Sequence, residues 1–315
     1  MRIDWSLNHL EPQHDKRALI TGANSGIGYH TALELARKGA FVYLACRNPD
    51  RGREALESIR QAVPGALAES LLLDLASLSS VREAARKVLA EGEPLDVMVN
   101  NAGVMAPPKR RETSDGFELQ FGTNVLGHFL LTALLYPLVE KADAGRIVTV
   151  ASIAHKRGRI QFDDLQFERA YHPRQSYAQS KLANLLLGFE LERRLRRNGS
   201  SVMSVSCHPG VASTNLFRTG DYGPIAKAIR TLATYLIGFF LNTSSEGALP
   251  NIFAATSELA EGGGYYGPQG FREMRGGDVG AARVKSQARD PAVAEKLWAV
   301  CEELCGVEFL SGSNL

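Results

Sequence analysis

Short runs of apolar and β-branched residues recur along this chain, and each is followed by a longer stretch with helical spacing. The runs are RALIT from residue 17, FVYLAC from 41, SLLLDL from 70, LDVMVNN from 95, GRIVTVAS from 145 and SVMSVSC from 201. Each has the length of a strand. Between them lie YHTALELARKG, RGREALESIRQAV, SVREAARKVLAEG, GHFLLTALLYPLVEKA and SYAQSKLANLLLGFELERRLRRNG, several of which close on glycine, the common helix stop. Strands that are apolar at nearly every position and alternate with helices call for a mostly parallel sheet covered on both faces. The expected class is α/β, doubly wound.

No repeat, low-complexity tract or Pro/Gly/Ser-rich linker divides the chain, so residues 16–315 read as one domain behind an N-terminal extension, residues 1–15. Less regular segments follow residue 210: TGDYGP, the apolar TLATYLIGFFL at 231–241, a helix around SEGALPNIFAATSE, a GGGYYGP turn and strand, and a last helix DPAVAEKLWAVCEELCGV. They are expected to finish the sheet and build over its carboxyl edge. The 315 residues carry a net charge of +2, with both signs interspersed. That pattern argues against nucleic-acid partners and polybasic membrane contacts, leaving small molecules. Cys46, Cys207, Cys301 and Cys305 include no CxxC pair, and Cys301 and Cys305 fit packing positions better than metal ligation, so no metal is expected. The opening MRIDWSLNHLEPQHDKR lacks the apolar centre of a signal peptide, and the 231–241 stretch is shorter than a membrane span. These features give a cytoplasmic expectation with no membrane span.

TGANSGIG at residues 21–28 places Gly22, Gly26 and Gly28, with Asn24, Ser25 and Ile27, between a strand and a helix. Such a turn brings backbone N–H groups and a helix N-terminus to one point, which suits a pyrophosphate; similar turns also join strand to helix with no ligand. At the end of the second strand, where an acidic residue binds a ribose hydroxyl in NAD sites, the chain has Arg47 and Asn48, followed by Arg51 and Arg53. An arginine there suits a 2′-phosphate and points to NADP, the other reading being a solvated charge at a helix start.

Tyr177 and Lys181 lie four residues apart in a strongly helical segment, so their side chains leave one face a turn apart. An ammonium so placed is expected to draw the tyrosine pKa below its usual value of about 10. The same chain carries NNAG at 100–103, TNVLGHF with Asn124, RIVTVAS with Ser152, and HPGVAST with Pro209, Gly210, Val211 and Thr214.

Together with TGANSGIG these motifs resemble the short-chain dehydrogenase/reductase family over roughly residues 15–270, and ACRN, GHFLLT and YAQSKLANLLL resemble its retinol-dehydrogenase-like group. The resemblance implies a single-domain Rossmann fold and hydride transfer between NADP(H), with NADPH preferred over NADH, and a carbonyl or alcohol. It implies Tyr177 as the proton donor, Lys181 as the group that lowers its pKa and holds the nicotinamide ribose, Ser152 as hydrogen-bond donor to the substrate oxygen, and Asn124 as holder of a relay water. It implies Asp74 and Leu75 beside the adenine, Asn101, Ala102 and Gly103 along the adenosine ribose, and Val211 and Thr214 at the carboxamide, with Pro209 and Gly210 leading to them. His128, His155 and His208 read as surface or structural residues without a catalytic role.

Membrane-bound retinol dehydrogenases carry an apolar N-terminal anchor that this sequence does not show, and many relatives have two serines where Ala151 and Ser152 stand. The segment 215–241, with Leu216, Phe217, Tyr235, Phe239 and Phe240, suits either a lid over a hydrophobic substrate or a contact with a second subunit of a homo-oligomer. Two other functions use the same framework: reduction of a conjugated carbon–carbon double bond, and sensing of NADP without turnover. An intact Ser152, Tyr177, Lys181 and Asn124 set weighs against the sensor.

Overall fold

The computed structural model describes residues 3–211 and 242–310. Thr214 and the expected lid at 215–241 lie outside the described residues. In chain order the elements are β1 (Arg17–Thr21), α1 (Gly26–Arg37), β2 (Phe41–Cys46), α2 (Pro49–Ala62), β3 (Ala68–Leu72), α3 (Leu78–Glu91), β4 (Val97–Asn100), α4 (Leu119–Glu140), β5 (Arg146–Val150), α5 (Pro173–Arg197), β6 (Met203–Cys207), α6 (Ser244–Thr256), β7 (Tyr265–Pro268), β8 (Val279–Ala281) and α7 (Pro291–Cys305).

The strands form one 8-stranded sheet in the order β3-β2-β1-β4-β5-β6-β7-β8. Pairing is parallel from β3 through β7, and β8 alone runs antiparallel to its neighbour. The strand order reverses between β1 and β4, which opens a crevice at the carboxyl ends of those two strands. Thr21, Asn100, Val150 and Cys207 all end strands at that edge. TGANSGIG, NNAG, the serine of RIVTVAS and the described part of HPGVAST therefore arrive at one rim.

Alternate strand residues feed two cores, as the period of a strand requires. Leu19, Tyr43, Leu71 and Met98 join Leu130, Leu186 and Trp298 on the face covered by α3, α4, α5 and α7. Ile20, Val42, Leu44 and Val99 join Leu35, Ile252 and Phe253 beneath α1 and α6. Residues 3–15, read from sequence as an extension, complete the second layer: Trp5 is buried edge-on to Phe253, with ring centroids 5.3 Å apart.

Two elements differ from the sequence reading. Strand β8, only VGA, is too short and too glycine-rich to show a period, and it forms because β7 leaves an edge to pair with. Helix α4 begins at Leu119 rather than at Gly127, because a π-turn over Gly122–Leu126 lets the chain run through two glycines without ending. By length and composition α4 could cross a membrane, with a mean hydropathy of 1.3, and 83% of that window is buried inside the fold.

Helix α7 closes the first core. Trp298 is 1% exposed, sits 4.9 Å from Phe129 and 5.2 Å from Phe309 between ring centroids, and gives its indole N–H to the Phe309 carbonyl at 3.1 Å. The Arg194 guanidinium lies 4.6 Å from its ring centroid. Cutting Trp298 back to alanine leaves a cavity that these neighbours cannot fill, so the Trp298→Ala protein is expected to lose about 3–5 kcal/mol in a denaturant titration. A loss under about 1 kcal/mol would mean that α7 does not seal the core.

Candidate active site

The glycine turn begins where β1 ends. Gly22 and Gly26 hold φ of 67° and 61°, which side-chain-bearing residues rarely adopt. At Gly28 the restriction is space, since a Cβ there would stand 2.5 Å from the Asn101 amide nitrogen and from the Gly22 carbonyl oxygen. A Cβ on Gly22 would meet Ala102 at 3.0 Å. Thus two of the three glycines are needed by the protein's own packing between this turn and residues 101–102. The N-cap of α1, Ser25, makes no side-chain cap bond, so the positive end of α1, with Asn24, Gly26 and Ile27 around it, stays open to an anion. This cradle fits a dinucleotide phosphate.

The neighbouring rim residues sort by what they hold. Asn48 is the N-cap of α2, its side chain accepting from the Arg51 amide at 3.0 Å, which gives it a structural role. Arg47 is exposed at the end of β2, and Arg51 is exposed one turn on, while Arg53 pairs with Asp50. Asp74 accepts the Ala76 amide at 2.9 Å, and Leu75 beside it is buried where α4 passes, a Cβ on Gly127 standing 2.4 Å from the Leu75 carbonyl oxygen. The amides of Asn101 and Ala102 both donate to Thr21 Oγ1 at 2.9 Å, and Asn101 Nδ2 donates to the Thr21 carbonyl at 2.9 Å. Gly103 stands before Asn124 and Lys181, where a Cβ would lie 3.2 Å from Asn124 Oδ1 and 3.7 Å from Lys181 Nζ.

Ser152 follows β5 directly and caps a short turn over Ile153–Arg157, accepting the Ala154 amide at 3.2 Å. It also acts on the Tyr177 hydroxyl, opposing the effect of burial on that group. Tyr177 and Lys181 lie on one face of α5, as their spacing requires, and Lys181 Nζ donates to the Val150 carbonyl at 2.8 Å. Asn124 sits in the π-turn with its side chain fully engaged. Its Oδ1 accepts from the Val104 amide at 2.8 Å, and its Nδ2 donates to the Val104 carbonyl and to Ser180 Oγ, both at 3.0 Å. Ser180 in turn donates to the Tyr177 carbonyl at 2.9 Å. One expectation is reversed here: burial pushes the Tyr177 hydroxyl up to about 12, Ser152 opposing it, and pushes the Lys181 ammonium down to about 8. Desolvation outweighs the attraction of a lysine whose ammonium is already turned to a backbone carbonyl.

Pro209, Gly210 and Val211 leave β6 along the same rim. Gly210 has φ 72°, and a Cβ there would meet the Met274 carbonyl oxygen at 2.4 Å. Val211 donates to that carbonyl at 2.7 Å, and the Asn242 amide donates to the Val211 carbonyl at 3.0 Å, so Val211 and Asn242 are fastened to each other.

Three histidines that the sequence reads as surface or structural residues are interior. His128, His155 and His208 are 5%, 0% and 0% exposed. His155 Nδ1 lies 2.7 Å from the Ser152 carbonyl oxygen, and Tyr265 stands between His155 and His208 with ring centroids 5.4 Å and 5.2 Å away. The signal available was position: His128 is one helical turn past Asn124, and His155 follows Ser152 by three. Burial lowers all three imidazoles, His128 to about 4 and His208 to about 3. The unfolded chain protonates them near their ordinary 6.5, so between about pH 6.5 and 4 it binds more protons than the folded one, and stability falls as the pH drops through that window. Denaturant titrations at about pH 7, 6 and 5 are expected to show this decline, with a shallower slope for His155→Gln; identical slopes would exclude His155 from the linkage.

The family model described as short chain dehydrogenase matches residues 16–221. Retinol dehydrogenase 14 of Mus musculus is 42% identical over 306 residues, covering 93% of this chain and 87% of the relative. Polyprenol dehydrogenase of Mus musculus is 41% identical over 310 residues, covering 97% and 88%. The crystal structure of an uncharacterized protein from Mycobacterium paratuberculosis superposes with a TM-score of 0.78 at 38% identity, covering 97% of this chain and 98% of that one. With the serine, tyrosine, lysine and asparagine gathered beside an open glycine turn, these matches show that the chain belongs to the short-chain dehydrogenase/reductase family, in its retinol-dehydrogenase-like group.

Proposed function

We propose that the protein transfers a hydride between NADP(H) and a hydrophobic carbonyl or alcohol. The observation that carries this reading is the bond from Lys181 Nζ to the Val150 carbonyl, which sets the lysine against the strand end two residues before Ser152 and one helical turn from Tyr177, at the rim that also presents the glycine turn. The nicotinamide supplies the hydride when bound. The residues of the chain supply the proton and its placement. Ser152 Oγ and Tyr177 Oη would together hold a carbonyl oxygen, and Tyr177 gives that oxygen its proton as charge builds on it. A hydroxyl held near 12 is protonated at neutral pH, the state in which Tyr177 can donate to a carbonyl oxygen. Lys181, buried and held low at about 8, is the group that replaces the proton, with Asn124 fixing the turn behind it.

Arg47 supports a 2′-phosphate and therefore NADP, because it is exposed at the end of β2 with Arg51 near and stands where a ribose-binding carboxylate would be. The hydrophobic substrate is supported by the apolar residues of 215–241 and by relatives named for retinol and polyprenol, both isoprenoid alcohols. Four buried, unbridged thiols support a reducing compartment such as the cytoplasm.

Tyr177→Phe is expected to bind NADPH like the wild type in a calorimetric titration while aldehyde reduction, followed at about 340 nm, falls at least about a hundredfold. Retention of most of the rate would remove Tyr177 as the acid. Arg47→Asp is expected to move the preference from NADPH toward NADH; an unchanged ratio of the two Kd values would take Arg47 out of the cofactor site.

A further inference from the structure

His128 touches both halves of the site, the glycine turn through Thr21 and the π-turn through Asn124. Its Nδ1 is 3.0 Å from the Asn124 carbonyl oxygen, a group that can only accept, so Nδ1 carries the proton. Its Nε2 is then an acceptor, and Thr21 Oγ1 lies 2.9 Å from it. Thr21 Oγ1 already receives the amides of Asn101 and Ala102, and its own proton has the shorter path to His128 than to the Val99 carbonyl at 3.3 Å. The bonds therefore all point one way. They run from the amides of residues 101 and 102 through the Thr21 hydroxyl and the His128 ring to the Asn124 carbonyl.

The line continues past Asn124. Its side chain donates to Ser180, and Ser180 donates to the carbonyl of Tyr177. A single chain of hydrogen bonds thus joins the first residue of the glycine turn to the turn of α5 that carries the tyrosine. At the π-turn, the Gly127 amide reaches back to the Gly122 carbonyl, a wider span than an ordinary helical turn. A side-chain bond to the Asn124 carbonyl is what holds that looser stretch in one register.

We propose that His128 is a positioning residue: as the neutral Nδ1–H tautomer it ties the glycine turn to the π-turn of Asn124, so that the nucleotide loop and the Tyr177 turn are set together. The proposal rests on the oxidoreductase reading above. The ring is suited to the task because burial, with the charge of Lys181 adding to it, keeps it neutral, and a protonated ring would lose the Thr21 bond. A cavity of about 40 Å³ lies against it, lined also by Asn100, Thr132, Thr149 and Asn184. That space exceeds the roughly 10–15 Å³ that one water needs, so simple truncation would admit solvent, and tests require side chains of similar reach.

The tautomer is read first, by ¹⁵N–¹H correlation of the imidazoles in the protein without nucleotide and with NADPH. His128 is expected to show one protonated nitrogen, Nδ1, with no titration between about pH 5 and 8. Addition of NADPH is expected to shift the amide of Tyr177 in the wild type and not in His128→Leu. Steady-state reduction of a hydrophobic aldehyde then gives a drop in kcat of about tenfold or more for His128→Leu and His128→Gln, with KM changed less than about threefold. His128→Asn, whose amide can stand where Nδ1 does, is expected to recover part of kcat. A ring protonated at Nε2, an NADPH-induced shift that survives in His128→Leu, or equal kcat in all variants would overturn the proposal. Because the ring and amide signals are read without substrate, a wild-type protein that binds NADPH with these signals but reduces no aldehyde would overturn the functional reading and not this one.

Discussion

The close approach of the glycine turn to residues 101 and 102 is the contact on which the rest of the site depends. Gly28 has no room for a Cβ against Asn101, and Thr21 collects two amides from the facing segment. Those bonds bind the ends of β1 and β4 across the place where the strand order reverses, which is where the crevice opens. A looser turn would also loosen Gly103, and with it the wall facing Asn124 and Lys181. The cofactor cradle and the proton-handling side chains are thus two faces of one packing problem.

Electrostatics in this site is governed by burial more than by pairing. Tyr177 is held above its ordinary value and Lys181 below, although the two stand a turn apart. Burial favours the uncharged form of each, so Tyr177 keeps its proton more firmly while Lys181 gives its proton up more readily. The nearby imidazoles follow the same rule and stay neutral, so they contribute hydrogen bonds with a fixed direction rather than charge.

Much of this was legible in the chain. Strands apolar on both faces announced a buried parallel sheet, and β1 and β2 fall on RALIT and FVYLAC residue for residue. The site residues could be named because their spacing and order are local properties of short motifs. What stayed hidden depends on contacts far apart in sequence. β8 is three residues that pair only because β7 offers an edge, and the early start of α4 depends on a π-turn that no periodicity reveals. The spacing of Tyr177 and Lys181 was right, yet the direction of the tyrosine shift was not, because desolvation is set by residues such as Val150 that meet the pair only in the fold. His128 lay within a quoted motif, but its partner Thr21 is a hundred and seven positions away.

The bond between Asn242 and Val211 has a consequence for how such a protein can diversify. Val211 and Asn242, thirty-one positions apart, meet at one fastened point, itself pinned to Met274. A loop whose ends are already closed adds little entropy cost when it lengthens, since that cost grows only as the logarithm of its length. The number of residues between the two posts can therefore change at small cost, while the posts themselves, Val211 on Met274 and Asn242 on Val211, are fixed by the fold.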